Sequence, residues 1–338
     1  MQKTLFVLIL INLFNSGCTE SILPSEQLVH KDTTSNKNLT TLSYEKLLTA
    51  EDSFAQELLE IKAILEDVED MPIDNDTIYW EWDYNKPETF DAEIALLDTV
   101  SLENWATTAP KTFKTQQLQF LSVQNAYASH KTFVQKLLMQ QGINSFEIDL
   151  YLRAFKDESE MEIWAKPKKD KTFRLLTTYH FYKGMTELGP KQREGDWQVP
   201  EGCYFIDYFN PHSDYILSLR INYPNAVDSI RNAHEAQMGS AICIHGNVAS
   251  VGCLAMTDLR IPMIYILATE AMDNGQTQIP VHIFPYRMTT ANQYRINPGY
   301  PQNHDFWRSL EIIYKEFERT KNQPKTKNSN GLYTLENP

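Results

Sequence analysis

The chain has 338 residues, a hydrophobic fraction of 42% and a formal net charge of −13 at pH 7. This length fits one large domain or two ordinary ones, with enough apolar residues for a substantial core. Residues 51–100 contain sixteen acidic residues against only Lys62 and Lys86, so this segment alone carries −14. Its simplest interpretation is a solvated surface, and the charge excludes nucleic acid as a partner, because phosphate binding requires a basic surface.

Residues 1–17 have the pattern of a signal peptide. Lys3 supplies a positive charge before the apolar run 5–14, which is too short to span a bilayer. Small residues then lead to Cys18, where a lipoprotein signal peptidase would cut and a diacyl anchor would attach. Asn15 replaces the usual branched apolar residue three places before this cysteine, so simple secretion remains an alternative. The sequence predicts export to the cell envelope or periplasm, with membrane attachment through Cys18.

Two segments precede the first predicted strand. Residues 18–43 are rich in Ser, Thr, Asn and Lys, which predicts a flexible tether. Residues 44–142 are predicted to form an acidic helical module. Apolar residues recur there at spacings of four and three, first between residues 54 and 68, and a second helix is predicted over residues 118–139. The module contains no catalytic motif.

From residue 146 the apolar period changes to two, which is typical of a half-buried strand. Similar patterns predict a hairpin and further strands at 161–165, 172–182, 203–209, 215–223, 240–245 and 279–288. A helix is predicted from Thr257 or Asp258 to about Met272, with Pro262 tolerated in its first turns. A C-terminal helical extension at 291–322 and a polar, disordered tail at 323–338 complete the chain.

A long loop separates two of these strands. Residues 183–200, KGMTELGPKQREGDWQVP, contain three glycines and two prolines, so this segment is a candidate lid or binding loop. Its Lys191 and Arg193 are candidates to bind an anionic group of a substrate. A solvated surface loop is the alternative.

The segment CIHGNVASVGC, residues 243–253, brings two thiols and an imidazole within eleven residues. A structural zinc site needs four ligands and no fourth is nearby, so no metal is predicted. A thiol nucleophile needs a base or a positive potential, and His245 is placed to act on Cys253 after a tight turn. Gly252 allows backbone amides to approach a substrate carbonyl. The spacing alone leaves open a buried structural cysteine beside a strand-end histidine.

Export would leave an odd number of cysteines in an oxidising compartment. If Cys18 carries lipid or is removed, Cys203, Cys243 and Cys253 remain. One hypothesis pairs Cys203 with Cys243 and leaves Cys253 as the free thiol.

The segment IHGNVASVGCLAMTD, residues 244–258, resembles the active-site motif of the L,D-transpeptidase catalytic domain family (the YkuD superfamily), in its YafK-like branch. That motif has His-Gly, a short variable stretch, then Ser-x-Gly-Cys. Residues 188–206 and 217–228 are similar to two other segments of the same branch, so the resemblance covers residues 146–290. It implies an α+β protein with a mainly-β catalytic domain, a β-sandwich or barrel with an inserted helix, after the helical module.

The resemblance assigns roles to five residues. It implies that Cys253 is the acyl-accepting nucleophile and His245 the general base, with the carbonyl of Gly246 holding the imidazole. Backbone amides of Gly252 and Cys253 would stabilise the oxyanion, and Ser250 would shape the loop.

The chain departs from the wider superfamily at two positions. The arginine common two residues after the cysteine is Ala255 here, and Val251 replaces a histidine before the glycine. Recognition of a donor carboxylate would then pass to another cation. The candidates are Arg193, Lys191, Arg220 and Arg287.

The activity implied is a murein L,D-transpeptidase that forms a cysteine thioester with a stem-peptide acyl group, without a cofactor. The acceptor amine would belong to another stem peptide or to a protein joined to peptidoglycan. One alternative is an L,D-amidase or carboxypeptidase that hydrolyses such linkages. The other is a non-catalytic lipoprotein that binds the cell wall.

Overall fold

The computed structural model describes residue 97 and residues 100–336, apart from residues 108, 185 and 240. Its contacts separate residues 1–84 from residues 85–338, so all described residues fall in the second unit. The predicted signal peptide, Cys18, the tether and the first helix of the acidic module lie outside the described residues. None of the helices in the described part of the chain has the length and apolar character needed to span a bilayer.

Six α-helices and ten strands are found among the described residues. The helices are α1 Thr112–Gln117, α2 Leu121–Gln140, α3 Ala226–Arg231, α4 Thr257–Asp273, α5 Thr290–Ile296 and α6 His304–Thr320. The strands are β1 Ile148–Phe155, β2 Glu160–Pro167, β3 Arg174–His180, β4 Gly202–Asn210, β5 Ser218–Ile221, β6 Cys243–His245, β7 Leu254–Ala255, β8 Pro280–Phe284, β9 Thr326–Ser329 and β10 Leu332–Leu335.

Eight strands form one mixed sheet in the order β3-β2-β1-β8-β4-β5-β6-β7. The β1–β8 and β6–β7 pairs are parallel, and the other neighbours are antiparallel. The shortest strands lie at the β7 end of the sheet, with four residues in β5, three in β6 and two in β7, against eight in β1 and β2. The predicted α+β fold is confirmed: a mainly-β domain with a helix inserted between β7 and β8.

The inserted helix α4 is buried along most of its length, from Ile261 to Ala271. Helices α1 and α2 are joined to it by buried polar contacts around Glu270. Lys114 donates to Glu270 at 2.5 Å, and the hydroxyl of Tyr127 donates to the same carboxylate at 3.1 Å. Burial of this pair in an apolar surrounding makes each partner dependent on the other. The inserted helix α4, which follows β7, is therefore fixed to α1 and α2.

The predicted hairpin of β2 and β3 is confirmed by their antiparallel pairing. The predicted disordered tail at 323–338 is wrong over residues 326–335, because β9 and β10 form a second hairpin there. Asn330 and Gly331 form its turn with φ of 50° and 80°, and Asn-Gly is a strong signal for a two-residue hairpin turn. Tyr333 is 4% exposed and accepts a hydrogen bond from Asn225 at 2.8 Å, so the hairpin is anchored to the domain.

Candidate active site

The parallel pair β6–β7 brings the two ends of the CIHGNVASVGC segment together. Ile244 lies opposite Leu254 and His245 opposite Ala255. The next pair in this register is Cys243 and Cys253. Because side chains alternate along a strand, residues 243 and 245 share one face, and residue 253 joins them from the neighbouring strand.

The imidazole of His245 is fixed in one orientation. The side chain is 3% exposed, and its Nδ1 lies 2.5 Å from the carbonyl oxygen of Gly246. A carbonyl only accepts, so Nδ1 carries a proton towards Gly246, and Nε2 is the nitrogen left for Cys253. The ring of Tyr215 stacks on the imidazole with centroids 4.6 Å apart. The ring is therefore held so that Nε2 can exchange a proton with the Cys253 sulfur.

The sulfur of Cys253 lies among hydrogen-bond donors. A hydrogen bond from the Cys243 thiol, and then one from His245, lower the pKa of Cys253 to about 5 against the opposing effect of burial. The backbone amide of Cys243 also donates to this sulfur at 3.4 Å. The thiolate, which is the nucleophilic form, is therefore favoured at neutral pH.

The turn after His245 is fixed by Asp258, at the start of α4. Its Oδ1 accepts from the amide of Asn247 at 2.6 Å, and Asn247 adopts a φ of 62°. A Cβ on Gly246 would lie 2.5 Å from the carbonyl oxygen of Tyr215. Asp258, which is close in sequence to the cysteine, holds the turn, and the carbonyl of Gly246 orients the imidazole.

The loop before Cys253 is closed by Ser250. Its hydroxyl donates to the carbonyl of Cys253 at 2.6 Å and accepts from the amide of Gly252 at 3.2 Å. Gly252 has a φ of 126°, and a Cβ there would lie 2.8 Å from the carbonyl oxygen of Gln198. Any side chain at this position would collide with the backbone of the 183–200 loop.

The 183–200 loop packs directly on the cysteine loop. Beyond the contact of Gln198 with Gly252, a Cβ on Gly184 would lie 2.5 Å from the carbonyl oxygen of Ser250. Just before the loop, the amide of Tyr182 donates to Ala255 at 2.8 Å. This segment forms one wall of the site.

A buried ion pair holds this wall. Lys156 is fully buried, lies 3.1 Å from Glu201, and donates to the carbonyls of Gly189 and Val199 at 2.7 and 2.9 Å. Glu201 in turn accepts from the amide of Gly189 and from Trp307 at 2.7 Å each. Burial lowers the pKa of Lys156, and Glu201 offsets part of that effect. Sequence reasoning missed Lys156, since nothing local distinguishes it from a surface lysine.

The structure separates the four candidate cations. Lys191 is 4% exposed and bound to Asp196 at 2.5 Å, so it braces the loop. Arg287 is engaged by Glu162 and, at 2.6 Å, by Glu160. Arg193 is exposed in the loop.

Arg220 is the candidate that lies beside the two cysteines. It is the register partner of Cys243 on β5, and its charge lowers the pKa of that thiol. Its guanidinium is 44% exposed and binds Asp207 at 2.8 Å.

The hypothesis of a Cys203–Cys243 disulfide is wrong, since both thiols are free. Cys203 lies on β4 and Cys243 on β6, with β5 between them. Two strand spacings amount to about 10 Å, which exceeds the reach of a disulfide. Burial raises the pKa of the Cys203 thiol, so it stays protonated and unreactive. Within the described residues, no group of three or more His, Cys, Asp or Glu side chains is arranged to hold a metal ion.

The mixed sheet and the pairing of a thiol with an imidazole define a class of mainly-β proteins that carry a cysteine–histidine site at one end of the sheet. The chain is 36% identical over 213 residues to "Putative L,D-transpeptidase YafK" of Escherichia coli strain K12, covering 62% of this chain and 82% of that protein. The protein of the same name from strain O157:H7 matches equally. The chain therefore belongs to the YafK-like branch of the L,D-transpeptidase family.

Two solved structures are also similar to this chain. The helical cell shape determining protein Pgp2 from Campylobacter jejuni has a TM-score of 0.33 and 15% identity, over 54% of this chain and 74% of that chain. Bd1075 from Bdellovibrio bacteriovorus has a TM-score of 0.30 and 17% identity, over 53% and 76%. No family model matches the chain.

Proposed function

We propose that the protein is a murein L,D-transpeptidase, a cysteine acyltransferase that acts on peptidoglycan stem peptides. The observation that carries the proposal is the β6–β7 register, which brings the Cys253 thiol beside the imidazole of His245, where hydrogen bonds lower the pKa of the thiol. Membership of a family whose Escherichia coli relatives are named for L,D-transpeptidation supports the reaction class.

In the first half-reaction the Cys253 thiolate attacks the carbonyl between the third stem residue and a D-amino acid. The resulting oxyanion is stabilised by the amides of Gly252 and Cys253, for which the amide of Gly252 must exchange its bond to Ser250. The C–N bond then breaks, and Nε2 of His245, which holds the proton lost by the Cys253 thiol, donates that proton to the leaving amine. The product is a thioester at Cys253 and a free D-amino acid.

In the second half-reaction an acceptor amine attacks the thioester carbonyl. Nε2 of His245 takes the proton of that amine, because Nδ1 is committed to the carbonyl of Gly246. The C–S bond breaks, the thiolate returns and a new amide is formed. Attack by water on the same thioester would give hydrolysis, so the access of the acceptor decides the product.

Arg220 is proposed to bind the carboxylate of the donor stem. A guanidinium forms bidentate bonds with carboxylates, and Arg220 already binds the carboxylate of Asp207 through two nitrogens, at 2.8 and 3.2 Å. Its position opposite Cys243 sets it one strand from Cys243 and two strands, about 10 Å, from the nucleophile.

Export to the cell envelope and diacylation of Cys18 complete the proposal. The motif at residues 1–18 supports both. Growth with a labelled fatty acid tests the anchor: the wild-type protein takes up label and Cys18→Ser does not. Equal labelling of the two proteins would contradict lipidation at Cys18.

The test of the reaction is mass spectrometry of the purified protein incubated with disaccharide-tetrapeptides. We expect a mass gain on Cys253, release of a D-amino acid and accumulation of cross-linked dimers, with Cys253→Ala inactive. Tripeptides in place of dimers would assign the protein as a carboxypeptidase. Neither adduct nor product, with a folded protein, would favour a non-catalytic binding role.

The base is tested by the pH dependence of single-turnover acylation. In the wild-type protein the rate follows the ionisation of the thiolate–imidazole pair. His245→Gln retains a side chain of similar size without a basic nitrogen, and we expect its profile to lose one inflection. An unchanged profile would rule out His245 as the base.

A further inference from the structure

Cys243 has no step in the acyl transfer described above, although its sulfur lies beside that of Cys253. Its thiol hydrogen-bonds the Cys253 sulfur, and its backbone amide donates to the same atom at 3.4 Å. The two sulfurs also share a neighbour, since they lie 3.3 and 3.8 Å from the carbonyl oxygen of Ala241. The nucleophile therefore has a second thiol in direct contact.

We propose that Cys243 and Cys253 form a reversible redox modification site, in which a hydroperoxide oxidises Cys253 and Cys243 closes an intramolecular disulfide. The disulfide removes the nucleophile, so the oxidised protein is inactive and a thiol reductant restores it. The proposal requires only the two sulfurs and does not depend on which acyl group Cys253 carries.

The chemistry balances in two steps. The Cys253 thiolate attacks the O–O bond of the hydroperoxide, the sulfur is oxidised to a sulfenic acid, and the peroxide is reduced to an alcohol or water. The sulfur of Cys243 then attacks the sulfenic sulfur. The S–S bond forms, the S–O bond breaks, and the hydroxyl departs as water with the proton of Cys243. One peroxide accepts both electrons.

The sheet register favours Cys243 as the partner over any other cysteine of the described residues. Adjacent strands lie about 4.8 Å apart, which is within the Cα separation of disulfides. Cys203 is two strands further away, and its thiol has a raised pKa. Cys243 and Cys253 are each partly exposed, so a small peroxide has access to the pair.

The electrostatics order the two steps. Cys253 is the thiolate and reacts first, while its hydrogen bond and charge, together with burial, keep Cys243 protonated by raising the pKa of that thiol. Oxidation of Cys253 to the neutral sulfenic acid removes the charge. Burial still raises the pKa of Cys243, while Arg220 and Ser218 lower it, so the second thiolate forms more easily than before the oxidation. Each thiol is therefore more readily ionised at the step in which it reacts.

The test follows one tryptic peptide of the full-length protein. Asn232–Arg260 contains Cys243 and Cys253 and no other cysteine, whereas Cys203 falls in a different peptide. After treatment with one equivalent of hydrogen peroxide, we expect Asn232–Arg260 to lose two hydrogen atoms and to resist alkylation. Dithiothreitol should restore both thiols and the alkylation of Cys253.

Variants separate this outcome from its rivals. Cys203→Ala should give the same result as the wild-type protein. Cys243→Ser should accumulate a dimedone-reactive sulfenic acid on Cys253 and then irreversible sulfinic acid. A wild-type protein that forms sulfinic acid while Cys243 remains alkylatable would overturn the proposal, as would a disulfide joining two different peptides. The wild-type mass shift needs no variant and no activity, so it stands or fails independently of the transpeptidase reaction.

Discussion

The two ends of the eight-stranded sheet differ in length and in regularity. Towards one end, inside the edge strand β3, β1 and β2 pair without interruption over eight residues, and both are largely buried. At the other end β6 and β7 pair over only two positions. The residues around this short end adopt unusual backbone angles, with positive φ at Ala241, Asn247 and Thr257.

This contrast separates the source of stability from the source of chemistry. The long strands bury continuous apolar surface, which contributes most of the free energy of folding. Each non-glycine residue with positive φ costs about 1–2 kcal/mol, which persists only where the surroundings over-determine it. The short end uses such residues to turn His245 and Cys253 toward one another. The burial of apolar surface by the long strands offsets the free-energy cost of these strained residues.

The largest effect is expected from a cavity at the regular end. Leu152, in the centre of β1, is fully buried, so Leu152→Ala should lower the free energy of unfolding by about 2–5 kcal/mol. Denaturant titration measures that loss. Under native conditions the rate of Cys253 alkylation should match that of the wild-type protein. A slower alkylation in the folded variant would contradict the separation of the two ends.

A smaller change in stability but a large one in activity is expected from Gly252→Ala. The added Cβ would lie 2.8 Å from the carbonyl oxygen of Gln198, and displacing the loop by about 1 Å can cost roughly 100-fold in rate. Steady-state kinetics of stem-peptide turnover measure this loss.

Gly195→Ala is the matched control for Gly252→Ala. Gly195 also has a positive φ, of 71°, but no atom lies within 4 Å of its Cβ position. It should show only backbone strain, with near-normal turnover. Equal losses in the two variants would assign the effect to strain rather than to contact with the wall.

An intermediate effect on pH dependence is expected from Cys243→Ala. The hydrogen bond from Cys243 is the largest cause that lowers the pKa of Cys253 to about 5, so its loss should raise that pKa. The midpoint of the pH profile for alkylation should therefore move upward, with slower reaction at pH 6. Cys203→Ala should leave the midpoint in place, and an unmoved midpoint in Cys243→Ala would contradict the assignment.

The same shift predicts how stability depends on pH. The folded pKa of Cys253 lies below that of an unfolded thiol, about 8.5, so the unfolded state binds more protons between these values. The free energy of unfolding of the wild-type protein should therefore rise relative to Cys253→Ala from pH 5 to 8.5. The stabilisation is lost as the pH falls through 5. Parallel denaturant titrations of the two proteins measure the difference.

The smallest effect is expected at the exposed cations. Arg220→Gln should raise KM for a donor stem by about tenfold, the value of one charge-assisted contact, and leave kcat and stability close to wild type. Arg193→Gln, further along the exposed loop, is its comparison. A larger rise in KM for Arg193→Gln would transfer carboxylate recognition to the loop.

How much the sequence predicts also differs between the long strands and the short β6–β7 end of the sheet. The two-residue alternation from Phe146 identified β1, because long half-buried strands carry their own pattern. The order of the sheet, which places Cys243 next to Cys253 and away from Cys203, depends on β7, a strand of two residues without a periodic signal. The motif resemblance singled out Cys253 and His245. The bracing role of Lys156 arises only from tertiary contacts with Glu201, which local sequence does not encode.

The anchorage of the 183–200 segment has a kinetic consequence. It is tied at one end by the paired backbone of Tyr182 and Ala255 and at the other by the ion pair of Lys156 and Glu201. Lys156 also binds the carbonyls of Gly189 and Val199 inside the segment, so we expect the segment to stay in place when substrate binds, without a closing step. Stopped-flow association should then give an observed rate that increases linearly with substrate concentration. A plateau would reveal a preceding isomerisation of the enzyme.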